Sequence, residues 1–172
     1  MRNGTPPNII DIEASGFGPH SYPIEVGVAL STGEKFCSLI LPMQDWTHWD
    51  EQAEGIHRIS REILLTHGQP IDRIAENLNK LLREATAYSD GWVVDQTWLT
   101  RLFHAARIRR EFSFSPLELI LSEPQMDVWH NTKNVVLREV GNKRHRASID
   151  AYVIQQTFER TRRTVPVNQA RA

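Results

Sequence analysis

Apolar residues alternate with polar ones, or form short unbroken runs, along the first forty positions, and this pattern predicts three β-strands. The first, Asn8 to Glu13, contains three isoleucines and is bounded by prolines and glycines. The second and third are expected at Tyr22 to Leu30 and at Lys35 to Leu41. The short turn between them, Ser31 to Gly33, favours an antiparallel hairpin with the first strand beside it.

From about residue 60 onward, apolar residues recur at helical spacing, and capping residues, prolines and Gly141 mark helix ends. The expected helices run from Ser60 to Leu65, from Pro70 to about Leu82, from Asp95 to Ile108, from Thr132 to just before Gly141 and from Ala147 to about Arg162. Pro42 to Gly55 is expected to be a loop, Thr86 to Val94 a short strand or turn, and Gln125 to Trp129 a short strand. The segment that follows Ile108 and contains Pro116 and Pro124 is expected to be a loop.

Length and composition agree with one α/β domain. The 172 residues, 40% hydrophobic and 24% charged, can bury a single core. The lone Cys37 excludes a disulfide framework and a cysteine-based zinc site. No signal-peptide pattern and no apolar run of membrane-spanning length is present, so we expect a cytoplasmic protein. The net charge is −1, so an anionic substrate would be held by local basic groups or by metal ions.

Two carboxylates stand out on the first strand. Because side chains alternate along a strand, Ile10 and Ile12 face one way, whereas Ile9, Asp11 and Glu13 face the other. Two neighbouring carboxylates on a buried strand repel each other and lose hydration, so they persist only if they are protonated, paired or bound to metal. The alternative is a strand end that emerges into water, with Glu13 capping a turn.

Two further aspartates interrupt the apolar faces of predicted helices. Asp95 shares a helical face with Trp98 and Leu99, and Asp150 lies in the first turn of the last helix. Each could instead cap its own helix or interact with the helix dipole. Four carboxylates that meet near the core would suit two Mg²⁺ or Mn²⁺ ions, which can stabilise the attacking and leaving oxygens of a phosphoryl transfer.

A histidine precedes the last of these aspartates by five positions. His145 lies in the basic loop Asn142 to Arg146, and an imidazole can take a proton from water near neutral pH. The alternative is a solvated loop histidine. Its basic neighbours, Arg144 among them, are surface residues by default but could hold a phosphate.

Together these motifs resemble the DEDDh branch of the DEDD 3′–5′ exonucleases, which includes proofreading exonucleases, ribonuclease T and oligoribonuclease. The resemblance covers Ile9 to about Phe158 and rests on an ordered set of motifs. These are Ile10-Asp11-Ile12-Glu13 with the following turn and second strand to Gly27, Gly55 to Ser60, Val93 to Leu99 and His145 to Asp150. A lone D-x-E is weak, but the ordered set that ends in H-x-x-x-x-D is specific.

One motif departs from the family pattern. Members often have a His-Asn pair shortly before the second aspartate, but this chain has Tyr88-Ser89-Asp90-Gly91-Trp92 there. Asp90 is therefore a rival for the role of Asp95. We assign the role to Asp95, because it leads an amphipathic helix, whereas Asp90 precedes a glycine in a turn.

The resemblance implies an RNase H-like α/β fold, with a mixed five-stranded sheet flanked by helices and its first three strands antiparallel. One exonuclease domain would extend over residues 1–165, followed by a frayed tail at 166–172. The resemblance also implies that Asp11 bridges two divalent ions and that Glu13 and Asp150 complete the ion on the nucleophile side. Asp95 would act largely through water, and His145 would deprotonate the attacking water.

The same resemblance implies contacts with the substrate. The backbone near Ala14 and Ser15 would receive the 3′-terminal sugar, and Phe17 would pack against the last base. His57 would line the same cleft, or would simply pack within its loop.

The sequence thus predicts a 3′–5′ exonuclease that uses Mg²⁺ or Mn²⁺ and acts on single-stranded DNA or RNA, releasing nucleoside 5′-monophosphates. Two alternatives stay open: a nucleic-acid-binding module that has lost catalysis, and a two-metal phosphohydrolase that acts on nucleotides or short oligomers. No membrane partner is expected. The sequence leaves open a homodimer or a larger replication or RNA-processing complex, and it does not decide between DNA and RNA.

Overall fold

The computed structural model describes residues 4–141 and 145–164. This part of the chain contains five strands and six α-helices. The strands are β1 (Asn8–Ala14), β2 (Pro23–Ala29), β3 (Lys35–Leu39), β4 (Thr86–Ser89) and β5 (Ser113–Pro116). The helices are α1 (Glu51–His57), α2 (Arg61–His67), α3 (Ile71–Leu82), α4 (Trp92–Ala106), α5 (Glu123–Val140) and α6 (Ala147–Thr164), with a 3₁₀ turn at Leu117–Ile120.

The strands form one mixed sheet in the order β3-β2-β1-β4-β5. β1 pairs antiparallel with β2, and β2 pairs antiparallel with β3, as the hairpin pattern predicted. On the other side of β1, β4 and β5 run parallel to it. The predicted fold class, a mixed five-stranded sheet whose first three strands are antiparallel, is confirmed.

Helices cover both faces of the sheet. Ile10 and Ile12 pack on one face in the cluster that holds Leu78 of α3 and Leu99 of α4. Ile9 packs on the opposite face in the cluster that holds residues of α5 and α6. The predicted alternation along β1 therefore divides the core in two, and Asp11 and Glu13 share the α6 face with Ile9.

The start of α6 lies directly on the sheet. A Cβ atom at Gly27 of β2 would lie 2.1 Å from the carbonyl carbon of Ala147, so only glycine permits this approach. Further along α6, the buried side-chain amide of Gln155 donates to the carbonyl oxygens of Pro7, Ala29 and Leu30. These contacts fix α6 across β1 and β2.

Three predictions about elements were wrong. The expected loop from Pro42 to Gly55 ends in α1, whose first turn is capped by the side chain of Asp50. The strand expected at Gln125 to Trp129 is part of α5, and Thr132 lies inside that helix and does not cap it. The fifth strand is instead Ser113–Pro116, within a segment that was expected to be a loop.

The predicted domain end at residue 165 and the tail lie outside the described residues. Among the described helices, none combines the length and the hydropathy that crossing a membrane requires.

Candidate active site

Asp11 and Glu13 lie on the α6 side of β1, at the C-terminal half of the central strand. Both side chains are only partly buried, so the cleft above them is open to solvent. The register between β1 and β2 shifts after Glu13, and the chain then turns away from the sheet. Gly16 makes this turn: its φ is 139°, and a Cβ there would lie 2.6 Å from Cβ of Asp50.

Asp95 reaches the site from the first turn of α4. β1 and β4 pair only through Asn8–Ala87 and Ile9–Tyr88, so the two strands diverge before they reach Asp11. The carboxylate of Asp95 is buried near this divergence and accepts hydrogen bonds from the Ser89 hydroxyl and the Ile12 backbone N–H. Asp95 thereby connects Ser89 at the end of β4 with Ile12 of β1.

Asp150 and His145 reach the site from the start of α6. The carboxylate oxygens of Glu13 and Asp150 and a ring nitrogen of His145 all lie within 4.8 Å of one another. His145 adopts a left-handed backbone conformation with φ 61°, two residues before the helix begins. The structure therefore brings Glu13, in the first motif of the sequence, together with His145 and Asp150, which lie 132 and 137 positions later in the last motif.

Glu25 of β2 positions this end of α6. Its side chain is fully buried and accepts from the backbone N–H of Ala147 at 2.8 Å. The guanidinium of Arg146 donates to both oxygens of the same carboxylate, at 2.6, 3.0 and 3.1 Å. Glu25 also lies opposite Glu13 in the pairing of β1 with β2. Glu25 therefore lies between Glu13 on the sheet and the start of α6, which carries Asp150.

Burial and mutual repulsion raise the pKa values of these acids. Desolvation, with repulsion from Asp95 and Glu13 next in size, raises the pKa of Asp11 well above its usual range. Burial and the nearby Asp150 raise the pKa of Glu13 from 4.5 to about 7. Burial also raises the pKa of Asp95 from 3.8 to about 7, although the Ser89 hydrogen bond opposes that shift. A cation bound among these acids would favour their charged forms and so oppose these shifts.

The rival carboxylate has a different partner. Asp90 lies at the end of β4 and forms an ion pair with Lys133 of α5, and both side chains are partly buried. Asp90 is close enough to raise the pKa of Asp11, but it is a smaller contributor than Asp95. In the described structure, Asp95 therefore lies with the other acids of the cluster, whereas Asp90 is paired with Lys133 of α5.

The residues expected to contact substrate surround the cleft. Ala14 and Ser15 are buried; Ser15 donates its N–H to Tyr22, and its carbonyl accepts from Asp50. Phe17 is 70% exposed and its ring centroid lies 6.2 Å from that of Trp98. Arg144 lies outside the described residues.

His57 is buried at the end of α1. Its Nδ1 accepts from the backbone N–H of Ile59 at 3.1 Å, so the neutral ring carries its proton on Nε2. That Nε2 atom is buried and has no hydrogen-bond partner among the described residues. Burial lowers the pKa of His57; the nearby carboxylates of Glu54 and Glu25 oppose this shift, and His145 adds slightly to it. The ring is therefore a neutral donor near the cleft.

Sequence reasoning missed Glu25, Arg146 and Ser89 as residues that support the site. Glu25 could have been found, because it is the one carboxylate within the apolar run from Pro23 to Leu30. Ser89 had no such signal, since its role follows from the divergence of β1 and β4.

Solved structures of exonuclease I from E. coli have the same fold. A zinc-bound complex with single-stranded DNA superposes with a TM-score of 0.68 over 95% of this chain and 41% of that chain, at 13% identity. A complex with a dT13 oligonucleotide gives 0.65, over 93% and 42%, at 14% identity. This chain spans about two-fifths of their length. The sequence matches no protein-family model and no curated protein. The likeness establishes the RNase H-like fold.

Proposed function

We propose that this protein is a metal-dependent 3′–5′ exonuclease that hydrolyses single-stranded DNA or RNA and releases nucleoside 5′-monophosphates. The observation that carries the proposal is the convergence of Glu13, His145 and Asp150 within 4.8 Å. Asp11 and Asp95 extend the same cluster of negative charge. The fold shared with exonuclease I, whose structures contain single-stranded oligonucleotides, supports it.

The donor set fits divalent cations. Oxygen ligands are the ones that Mg²⁺ and Mn²⁺ prefer, and no cysteine lies among the clustered acids. Burial and the neighbouring acids raise the pKa values of Asp11 and Glu13, and a bound cation would offset both effects. Among the neighbouring acids, Asp95 raises the pKa of Asp11 the most and Asp150 raises the pKa of Glu13 the most. Two ions held there would supply positive charge beside the attacking and leaving oxygens.

His145 would act as the general base. Water attacks the terminal phosphorus as the ring nitrogen of His145 takes one of its protons. The new bond joins the water oxygen to phosphorus, and the bond from phosphorus to the 3′ oxygen of the preceding nucleotide breaks. That oxygen takes up a proton, which leaves a shortened strand with a 3′ hydroxyl and a free nucleoside 5′-monophosphate.

The 3′-terminal nucleotide would lie over the turn that follows β1. The exposed ring of Phe17 can stack on the last base, with Trp98 behind it. The neutral Nε2–H of His57 would donate to the sugar, which would satisfy its unused hydrogen-bonding capacity. Ala14 and Ser15 would shape this turn, since the backbone groups of Ser15 already hold Tyr22 and Asp50. Arg144 would contact phosphate.

The test is product analysis on oligonucleotides of DNA and RNA, labelled at either end, with Mg²⁺ or Mn²⁺. We expect mononucleotide release from the 3′ end by the native protein. His145→Ala should lose about 10²–10⁴-fold in turnover and flatten the acidic limb of the pH–rate profile, because the general base is gone. His67→Ala is the matched control, since His67 is exposed at the end of α2.

Two outcomes would contradict the proposal. Oligonucleotide binding without metal-dependent hydrolysis would indicate a binding module. Faster cleavage of a mononucleotide ester than of any oligomer would indicate a phosphohydrolase for small substrates. If His145→Ala keeps native turnover at every pH, the histidine is not the base.

A further inference from the structure

Lys133 of α5 lies at the edge of the candidate active site and has no part in the steps described above. Helix α5 packs on the face of the sheet that carries Asp11, since Trp129, one turn before Lys133, lies in the same cluster as Ile9. The ammonium group forms an ion pair with Asp90, and 30% of the lysine side chain is exposed. Both residues line a cavity of about 310 Å³. The lysine is therefore open to a bound molecule and is not sealed within the fold.

The turn that follows β4 holds Asp90 next to Asp95. The hydroxyl of Ser89 accepts from the backbone N–H of Gly91 at 2.9 Å and donates to the carboxylate of Asp95. A Cβ at Gly91 would lie 3.3 Å from Oδ2 of Asp95, so the turn packs closely on that carboxylate. The negative charge of Asp90 raises the pKa of both Asp95 and Asp11, as expected for a near neighbour. The ammonium group bonded to Asp90 therefore lies beside these two acids.

The pairing of β1 with β4 brings Asp90 level with Asp11. Ile9 pairs with Tyr88 in parallel register, and Asp11 and Asp90 each follow two positions later. The two strands diverge beyond that pair, which leaves space between Asp11 and the ion pair of Asp90 with Lys133. Lys133 thus approaches Asp11 from the β4 side of the central strand.

Helix α6 approaches Asp11 from the other side of the central strand. Gly27 of β2 lies opposite Asp11, and the start of α6 packs directly on Gly27. His145 comes two residues before this helix begins. Because β1 lies between β2 and β4, and neighbouring strands are about 4.8 Å apart, His145 and Lys133 lie on opposite sides of Asp11 at distances that side chains span.

In phosphoryl transfer the attacking and leaving oxygens lie roughly in line, on opposite sides of the phosphorus. If His145 takes a proton from the attacking water, the leaving oxygen of a phosphate bound over Asp11 faces the opposite side of β1. We infer that Lys133 is a further catalytic residue, the general acid that gives a proton to the leaving 3′ oxygen. This inference rests on the proposed function and adds a proton donor to the reaction described there.

The proton transfer accompanies cleavage of the bond between phosphorus and the 3′ oxygen. The electron pair of that bond stays on the oxygen, and one proton passes to it from Nζ of Lys133. The neutral amine then regains a proton from solvent, and His145 releases to solvent the proton that it took from water. One water is consumed for each nucleotide released, and both side chains return to their starting states. The negative charge of Asp90 stabilises the ammonium form and holds it in place.

The experiment replaces the leaving oxygen with sulfur. Two octanucleotides, made with the sugar that the native protein hydrolyses faster, differ only in the bridging 3′ atom of the last linkage. A thiol such as that of cysteine has a pKa of about 8.5, so a sulfur leaving group departs as a thiolate and needs no acid. In single-turnover reactions with Mn²⁺, Lys133→Met should lose about 10²–10⁴-fold in rate on the oxygen substrate and come within about tenfold of the native rate on the sulfur substrate. Lys133→Arg keeps the charge beside Asp90 and should show the same pattern, because a guanidinium does not give up its proton.

The matched control is Lys80→Met, which removes an exposed lysine of α3 and should follow the native protein on both substrates. Urea unfolding of each variant checks the fold. The inference is overturned if Lys133→Met is equally slow on both substrates, or if either variant of Lys133 keeps the native rate on the oxygen substrate. A native protein that hydrolyses neither substrate would contradict the proposed function and, with it, the assignment of the acid.

Discussion

At the residue scale, Asp90 and Asp95 show how neighbouring contacts separate two similar side chains. Five positions separate them, and the departure from the family pattern makes both candidates for the second aspartate. Ser89 and the Ile12 backbone bind Asp95, whereas Lys133 binds Asp90. The apolar periodicity of α4 favoured Asp95 from the sequence alone, but the ion pair that occupies Asp90 has no local signal.

We therefore expect Asp95→Asn to weaken Mn²⁺ binding and turnover at least about tenfold more than Asp90→Asn, because a group of the proposed metal site is lost. Asp90→Asn should chiefly reduce stability, by about 1 kcal/mol, through loss of a partly buried ion pair. Calorimetric Mn²⁺ titration, steady-state kinetics and urea unfolding measure these effects. If Asp90→Asn is the more damaging change to turnover, the second aspartate is Asp90.

At the element scale, the start of α6 decides where His145 and Asp150 lie. The backbone contact at Gly27 and the carboxylate of Glu25 hold this end of the helix on β2. The sequence predicted α6 from its apolar spacing, but not these contacts, because they depend on residues more than a hundred positions away.

The start of α5 was predicted wrongly for a different reason. Gln125 to Trp129 resembles a short strand in its apolar pattern, but the capping box formed by Ser122 and Gln125 starts a helix there.

Arg146→Ala should leave a buried carboxylate with a reduced set of partners and lower the free energy of unfolding by about 2 kcal/mol, since the arginine side chain is half exposed. Turnover should fall by about tenfold as the start of α6 shifts. Urea unfolding and steady-state kinetics measure both effects.

The double variant Glu25→Gln/Arg146→Ala should recover much of the stability lost in Arg146→Ala, because the unpaired charge is gone. Arg163→Ala, which removes the ion pair between an exposed guanidinium and Glu159, is the control and should change stability little. A double variant that is less stable than Arg146→Ala would show that Glu25 does not need the guanidinium.

At the scale of the whole molecule, the sequence predicted the fold class because alternation and helical periodicity recur along the chain. It missed β5 because four residues that end in Pro116 give almost no periodic pattern. The motifs indicated which acids meet. Their distances and pKa values depend on how β1, α4 and α6 converge, and that convergence arises only when the sheet and both helical layers assemble.

This convergence makes the metal-free fold sensitive to pH. Glu13 has an ordinary pKa of 4.5 and a pKa of about 7 in the fold, so between these values the folded protein binds more protons than the unfolded chain. The free energy of unfolding must then decrease as pH rises through this window. In EDTA, Glu13→Gln should raise the melting temperature at pH 8 by about 3 °C or more and have a much smaller effect at pH 5.

With Mn²⁺ at pH 8, the native protein should have a higher melting temperature than Glu13→Gln, the reverse of the order in EDTA. Ions that bind only the folded state stabilise it as their concentration rises, and Glu13→Gln should respond less than the native protein because one of the proposed oxygen ligands is weakened. Glu76→Gln, an exposed position on α3, is the control and should follow the native protein in both buffers. Scanning calorimetry at pH 5 and pH 8, with EDTA or Mn²⁺, measures all four conditions. A lower melting temperature for Glu13→Gln at pH 8 in EDTA would mean that a contact within the fold, and not a cation, compensates the charge of Glu13.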